Sequence, residues 1–271
     1  MHILEKLDAI TKKNKSLVCV GLDTVAARLP SPVLSSDNPV LAFNRRIIEA
    51  TADIVQAYKL NLAFYEALGR FGYDTLRGTL KAIPGNVVVI GDGKRGDIGN
   101  TSVMYARALF EDLGFDAATV SPYMGFDSVK PFIDFSEKGV FVLALTSNPG
   151  SRDFQYLETG GTPLYRRVVE AVVRWNTDGN CGLVVGATHP DELAEVRAAV
   201  GDMPILVPGL GVQGGNVERT VEAAVTPSGM RAVFNASRAV LYAGSGSDFA
   251  ECARRAVEEL RDAVNTRIRP G

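Results

Sequence analysis

Histidine and cysteine are scarce in this chain of 271 residues: only His2 and His189, and only Cys19, Cys181 and Cys252, all far apart. No zinc-ligand spacing can be assembled from them. Cys19 lies inside the apolar run LVCVGL and reads as a small core residue rather than a nucleophile. Charge of one sign is also lacking. With 29 Lys and Arg against 31 Asp and Glu the net charge is -2, which leaves no electrostatic footprint for nucleic acid or an acidic membrane. No apolar run approaches the roughly 20 residues that span a bilayer. The opening stretch MHILEKLDAITKKNK is charged and amphipathic, without the apolar core of a signal peptide. These absences point to a soluble globular protein, expected in the reducing cytoplasm.

What the chain does have is a recurrence of short apolar runs bounded by turn residues. They cover 16–23, 53–60, 86–92, 116–122, 139–146, 181–187, 204–209 and 231–237. Rich in Val, Ile and Leu and without clean alternation, they read as strands buried on both faces. Helical patterns lie between them. Residues 100–113 place Val103, Ala106, Phe110 and Leu113 on one stripe, ended by Gly114. Thr162-Pro163 reads as an N-cap with proline at the first helical position. Ser247 or Asp248 would cap a last helix striped by Phe249, Ala253, Val257, Leu260 and Val264. Eight strands alternating with helices, at about 34 residues per unit, predict a single (β/α)8 TIM barrel over 1–271 with an added N-terminal helix. A doubly wound sheet is the main rival, because periodicity alone cannot close a barrel.

In a barrel, chemistry belongs at the C-terminal ends of the strands. Those ends carry Asp23, then Lys59, then Asp92 with Lys94 and Asp97, and later Thr146-Ser147-Asn148. Charge placed where buried strands stop, on several strands at once, predicts a site. GLGVQG, 209–214, formally matches a dinucleotide-binding loop, but it comes late and lacks the expected ribose-binding acid near 230. A phosphate site between the last two strands accounts for it better. Backbone N–H groups of Gly214 and Gly215 would cradle the anion, Gln213 would reach over it, and Arg238 would supply a forked cation. The tripeptide RGD at 95–97 and the sequon form at 100–102 have no setting that would give them their usual meaning, and Arg95 has no assigned role. His189 reads as a residue at a helix start.

The motif Asp92-Gly-Lys94-Arg-Gly-Asp97-Ile98, with Thr101 after it, resembles that of the orotidine 5′-monophosphate decarboxylase family. GLD at 21–23, YKLN at 58–61, TSNPG at 146–150, PGLGVQGG at 208–215 and SR at 237–238 follow in the family's order, in wording similar to its longer bacterial branch. Gly99, where many members have proline, and the extended segment 151–165 depart from the pattern. The resemblance implies cofactor-free, metal-free decarboxylation of orotidine 5′-monophosphate to UMP in pyrimidine biosynthesis. Lys59, Asp92, Lys94 and Asp97 would form the alternating catalytic array. Its carboxylates would flank a protonated Lys94 that delivers a proton to C6. Asp23 and Lys59 would hold the ribose hydroxyls, Ser147 the pyrimidine with Pro149 packed near it, and Gln213 and Arg238 the phosphate. Asp97 and Thr101 would reach into a neighbouring subunit's site, so the resemblance also implies a homodimer.

Other readings stay open at this point. Related barrels that decarboxylate sugar phosphates share the Asp-x-Lys-x-x-Asp loop but need Mg²⁺, which a carboxylate at the end of the second strand helps to bind. Here Lys59 occupies that place. A Schiff-base aldolase would need a neutral lysine, which flanking carboxylates oppose. A non-catalytic nucleotide-binding barrel would keep the phosphate cradle and lose part of the charged array.

Overall fold

The eight apolar runs become eight parallel strands: β1 (Val18–Gly21), β2 (Ala57–Asn61), β3 (Val88–Arg95), β4 (Ala117–Val120), β5 (Gly139–Leu145), β6 (Cys181–Val185), β7 (Ile205–Pro208) and β8 (Ala232–Ala236). Each pairs with its neighbours in sequence, and β1 pairs with β8 to close the ring. Closure decides against the doubly wound sheet. The computed structural model describes residues 1–210 and 216–268. Every residue of β1, β4, β6 and β8 is buried, as expected for strands covered on the inside by other strands and on the outside by helices.

The longer helices are α1 (Ile3–Asn14), α2 (Pro39–Thr51), α3 (Gly72–Ala82), α4 (Gly99–Arg107), α5 (Phe126–Ile133), α6 (Leu164–Trp175), α7 (Pro190–Val200), α8 (Asn216–Ala224) and α9 (Phe249–Asn265). The stripe expected on α9 is there: Phe249, Ala253, Val257, Leu260 and Val264 are all fully buried. Asp248 stands at its N-cap, although its carboxylate takes the Cys252 thiol rather than a backbone N–H. In α1, Ile3, Leu7 and Ile10 face the core. Asn14 ties the end of this added helix to the barrel by donating to the carbonyls of Ala52 and Val55.

Three local expectations are corrected. Pro163, not Thr162, is the N-cap of α6. The glycines Gly160 and Gly161, both at positive φ, fold the chain back so that Thr162 pairs with Thr159 in a two-residue antiparallel ribbon. In the 100–113 stripe, Val103 is exposed. The helix continues past Arg107 as a π-turn over Ala108–Asp112, whose extra residue shifts the buried face to include Leu109 beside Phe110. Gly114 does end the segment, at φ 74°. Finally, β3 does not stop at Asp92 but continues to Arg95 through a register shift against β4.

At the opposite end of the barrel from these strand termini, Arg197 on α7 is buried with no carboxylate in ion-pair contact among the described residues. Its guanidinium donates to the carbonyls of Ala224, Gly201, Met203 and Arg231, joining the ends of α7 and α8 to the entries of β7 and β8. Burial lowers its pKa to about 10, so it remains charged at neutral pH.

Candidate active site

The parallel register of β2 and β3 pairs Lys59 with Ile90 and Asn61 with Asp92, bringing the Lys59 and Asp92 side chains together. Lys59 Nζ donates to Asp92 Oδ2 at 2.8 Å and lies 3.6 Å from Asp23 Oδ1. On the other carboxylate oxygen, Lys94 Nζ donates to Asp92 Oδ1 at 2.7 Å. Lys59 and Asp92 are almost wholly enclosed, with 4% and 7% of their side chains exposed, whereas the Lys94 side chain is 45% exposed. The array is therefore anchored at its buried end and open at the Lys94 end.

Electrostatics account for how two such groups stay ionised inside a barrel. Burial alone disfavours the Asp92 carboxylate, but Lys59 and Lys94, through charge and hydrogen bonding, outweigh it and hold the carboxyl well below its usual range. Burial is also the largest influence on Lys59. Asp23 and Asp92 together reverse it, so the ammonium is held upward of its ordinary value. The Cys19 thiol beside them is pushed up, chiefly by burial, which fits a packing residue rather than a nucleophile.

Asp23 follows β1 and receives the Ser237 hydroxyl on Oδ2 at 2.7 Å. Gly21 makes that meeting possible. A Cβ there would lie 2.0 Å from Ser237 Oγ. Arg238, exposed just past β8, lines with Asp23, Ser237, Asn235 and Arg28 a cavity of about 720 Å³ at the barrel mouth. Ser147 is exposed after β5, its hydroxyl lying where a Cβ on Gly186 would be, and Pro149 opens a 3₁₀ turn over Pro149–Asp153. Asp97 and Thr101 do not join the cluster within the chain. Asp97 Oδ1 accepts the Ile98 N–H, and Thr101 is exposed in the first turn of α4. Gln213, Gly214 and Gly215 lie outside the described residues. Among the described residues, no three His, Cys, Asp or Glu side chains gather as a metal cage would require.

Several residues near the site escape a reading of the sequence. Thr119, within the apolar run of β4, donates to Asp92 Oδ1 at 2.8 Å and accepts the Lys94 N–H at 2.9 Å. Its one signal is a hydroxyl in an otherwise apolar strand. Gln155, in the segment 151–165, accepts the Thr146 N–H and donates to Thr146 Oγ1, so this segment folds back to clamp the loop that carries Ser147. His189 does stand at the start of α7, yet its Nε2 lies 3.1 Å from the Thr146 carbonyl and adds to the same anchorage. Arg95 points away from the array, pairing with Glu66 and lying over the Tyr105 ring.

Residues 16–252 match the model of the orotidine 5′-phosphate decarboxylase / HUMPS family. The chain belongs to that family. Curated members include an orotidine 5′-phosphate decarboxylase of Dehalococcoides mccartyi (strain CBDB1), 49% identical over 269 residues and 98% of each chain. The corresponding protein of Janthinobacterium sp. (strain Marseille) is 46% identical over 270 residues, 99% of this chain and 100% of that one. Among solved structures of the family, Leishmania donovani OMP decarboxylase superposes with a TM-score of 0.84 at 37% identity, covering 98% of this chain and 99% of the other. The resemblance carried by the Asp92–Ile98 motif is borne out over nearly the whole chain.

Proposed function

We propose that this chain is a single-domain carboxy-lyase that converts orotidine 5′-monophosphate to UMP in pyrimidine biosynthesis, acting in the cytoplasm without metal or organic cofactor. The observation that carries the reading is the Asp92 carboxylate gripped between the ammonium groups of Lys59 and Lys94 at the barrel mouth. In the reaction the bond from C6 to the carboxylate breaks, CO₂ leaves, and the electron pair stays on C6. Lys94 Nζ gives its proton to that carbon, and the neutral amine is reprotonated from solvent. A fixed cation near the developing carbanion stabilises the transition state more than the ground state, which is what lowers the barrier. Asp92 would face the substrate carboxylate. Its repulsion, about 4 kcal/mol at 4 Å and an effective dielectric of 20, falls as CO₂ departs.

Asp23 and Lys59 would meet the ribose, Ser147 and Pro149 the pyrimidine, and Arg238 the phosphate together with Gln213 and the backbone of Gly214 and Gly215. Asp97 and Thr101 would complete the site of a second copy. Supporting this, large apolar side chains are exposed close by in the chain at Ile98 and Met104, and after β4 at Tyr123 and Met124. Mixing Lys94→Ala with Asp97→Ala protein tests the shared site. Random exchange of subunits would restore about a quarter of parental activity, and no recovery after exchange would contradict sharing.

Lys59 also weighs against the Mg²⁺-dependent sugar-phosphate chemistry found in related barrels, because an ammonium bonded to Asp92 stands where such a metal's carboxylate ligand would be. The test is the ultraviolet absorbance of orotidine 5′-monophosphate with EDTA-treated protein. Turnover to UMP is expected. Unchanged absorbance with folded protein, and turnover of a sugar phosphate once Mg²⁺ is added, would overturn the reading.

A further inference from the structure

We infer that Thr119 is a positioning residue for the reaction, setting the geometry of both Asp92 and Lys94 through a single hydroxyl. The inference rests on the proposed roles of those two residues. Its starting point is the irregularity in β3. Ile90 pairs with Ala117 and Gly91 with Ala118, but the next pairing is Arg95 with Val120. Asp92, Gly93 and Lys94 therefore stand opposite Thr119 alone. Within this bulge Lys94 stands at φ 45°, a left-handed conformation that disfavours any residue but glycine.

A bulge of this kind takes the Lys94 N–H out of the regular ladder. The Thr119 hydroxyl replaces the missing carbonyl, accepting that N–H at 2.9 Å. Because the amide can only donate, the hydroxyl's own proton is free for Asp92 Oδ1, 2.8 Å away. Directionality is thus fixed: Lys94 backbone to Thr119, Thr119 to Asp92. The same Oδ1 receives Lys94 Nζ, so the hydroxyl, the carboxylate and the lysine close a ring. Thr119 is buried at 1% exposure, and its branched Cβ restricts χ1 in a strand, so the hydroxyl is held rather than free to rotate with solvent. No regular strand pairing would hold Lys94 in this conformation, and no other neutral donor among the described residues reaches Asp92.

The experiment compares Thr119→Val, which keeps shape and removes the hydroxyl, with Thr119→Ser, which keeps the hydroxyl. For the valine variant kcat is expected to fall roughly 10- to 100-fold, with KM changing much less, because a displaced reacting group costs about that much. The serine variant is expected to recover most of kcat. Binding gives a readout that a purely structural role would not move. A UMP analogue bearing an anionic oxygen at C6 should bind the valine variant more weakly, while UMP binds as before. Should the valine variant not fold, amide hydrogen exchange in the parent protein decides: the Lys94 N–H should exchange slowly, and exchange at the rate of an open loop overturns the inference. A folded valine variant with kcat within twofold of the parent also overturns it. A Lys94→Ala control separates the two levels, since full activity there would refute the role of Lys94 itself rather than that of Thr119.

Discussion

Replacing Asp92 with asparagine keeps the shape of the side chain and removes its charge. In the parent the carboxylate accepts three donors: Lys59 Nζ at 2.8 Å, Lys94 Nζ at 2.7 Å and the Thr119 hydroxyl at 2.8 Å. An amide has one oxygen, so whichever way it is turned, an NH₂ faces at least one of those donors. Lys59 suffers most, left enclosed with Asp23, 3.6 Å away, as its one remaining carboxylate among the described residues. At an effective dielectric of 20 the lost attraction at 2.8 Å is about 6 kcal/mol, offset in part because a carboxylate no longer has to be desolvated. Breaking one partner of a buried pair costs about 3–5 kcal/mol, which is the expected loss of stability at pH 7. Denaturant titration of both proteins at one fixed concentration reads it. The sign of the pH dependence follows from the lowered pKa of Asp92. Its stabilising contribution is complete above the ordinary carboxylate pKa of about 3.9 and is lost as pH falls toward its depressed value. The gap between parent and variant should therefore be constant from pH 5 to 7 and narrow below about pH 4. A gap under 1 kcal/mol at pH 7, or one that closes between pH 7 and 5, would refute the buried ion cage.

Gly21→Ala should lower kcat/KM about 10-fold or more, since its methyl group would occupy the position of Ser237 Oγ and force that hydroxyl off Asp23. Steady-state kinetics with unchanged values would contradict the close approach. Removing the Gln155 clamp with Gln155→Ala should raise KM for orotidine 5′-monophosphate several-fold and lower stability by only about 1–2 kcal/mol, because the loop that carries Ser147 loses two part-buried hydrogen bonds. Arg197→Ala should have the opposite profile. Activity per folded molecule is retained, but stability falls by about 3–5 kcal/mol as four carbonyls, two of them in fully buried contacts, lose their donor. Equal stability by denaturant titration would show that water takes over the guanidinium's bonds.

The barrel was legible because each strand is a continuous apolar run and each run ends in turn residues. Lys59, Asp92 and Lys94 were legible for the same reason, as charges set at the C-terminal ends of such runs. Thr119 was not, because its function comes from the bulge in the neighbouring strand, and nothing in β4 itself records that bulge. The π-turn at 108–112 likewise escaped the 3.6-residue pattern, which predicts a uniform stripe and so placed Val103 inside. Thr162 was misplaced because the Gly160-Gly161 turn pairs it across a ribbon, a contact that outcompetes its capping tendency. Gln155 and His189 converge on Thr146 only once the segment 151–165 has folded back, so their sequence separation conceals the anchorage.

If Lys94 supplies both charge stabilisation and the proton in the decarboxylation of orotidine 5′-monophosphate, its removal takes away both at once. The most direct test of that role is the rate of loss of that substrate's ultraviolet absorbance with the parent protein and with Lys94→Ala, both folded and treated with EDTA. Turnover by the parent and a fall of about 10³-fold or more in the variant are expected. Parent-like turnover by the variant would contradict that role.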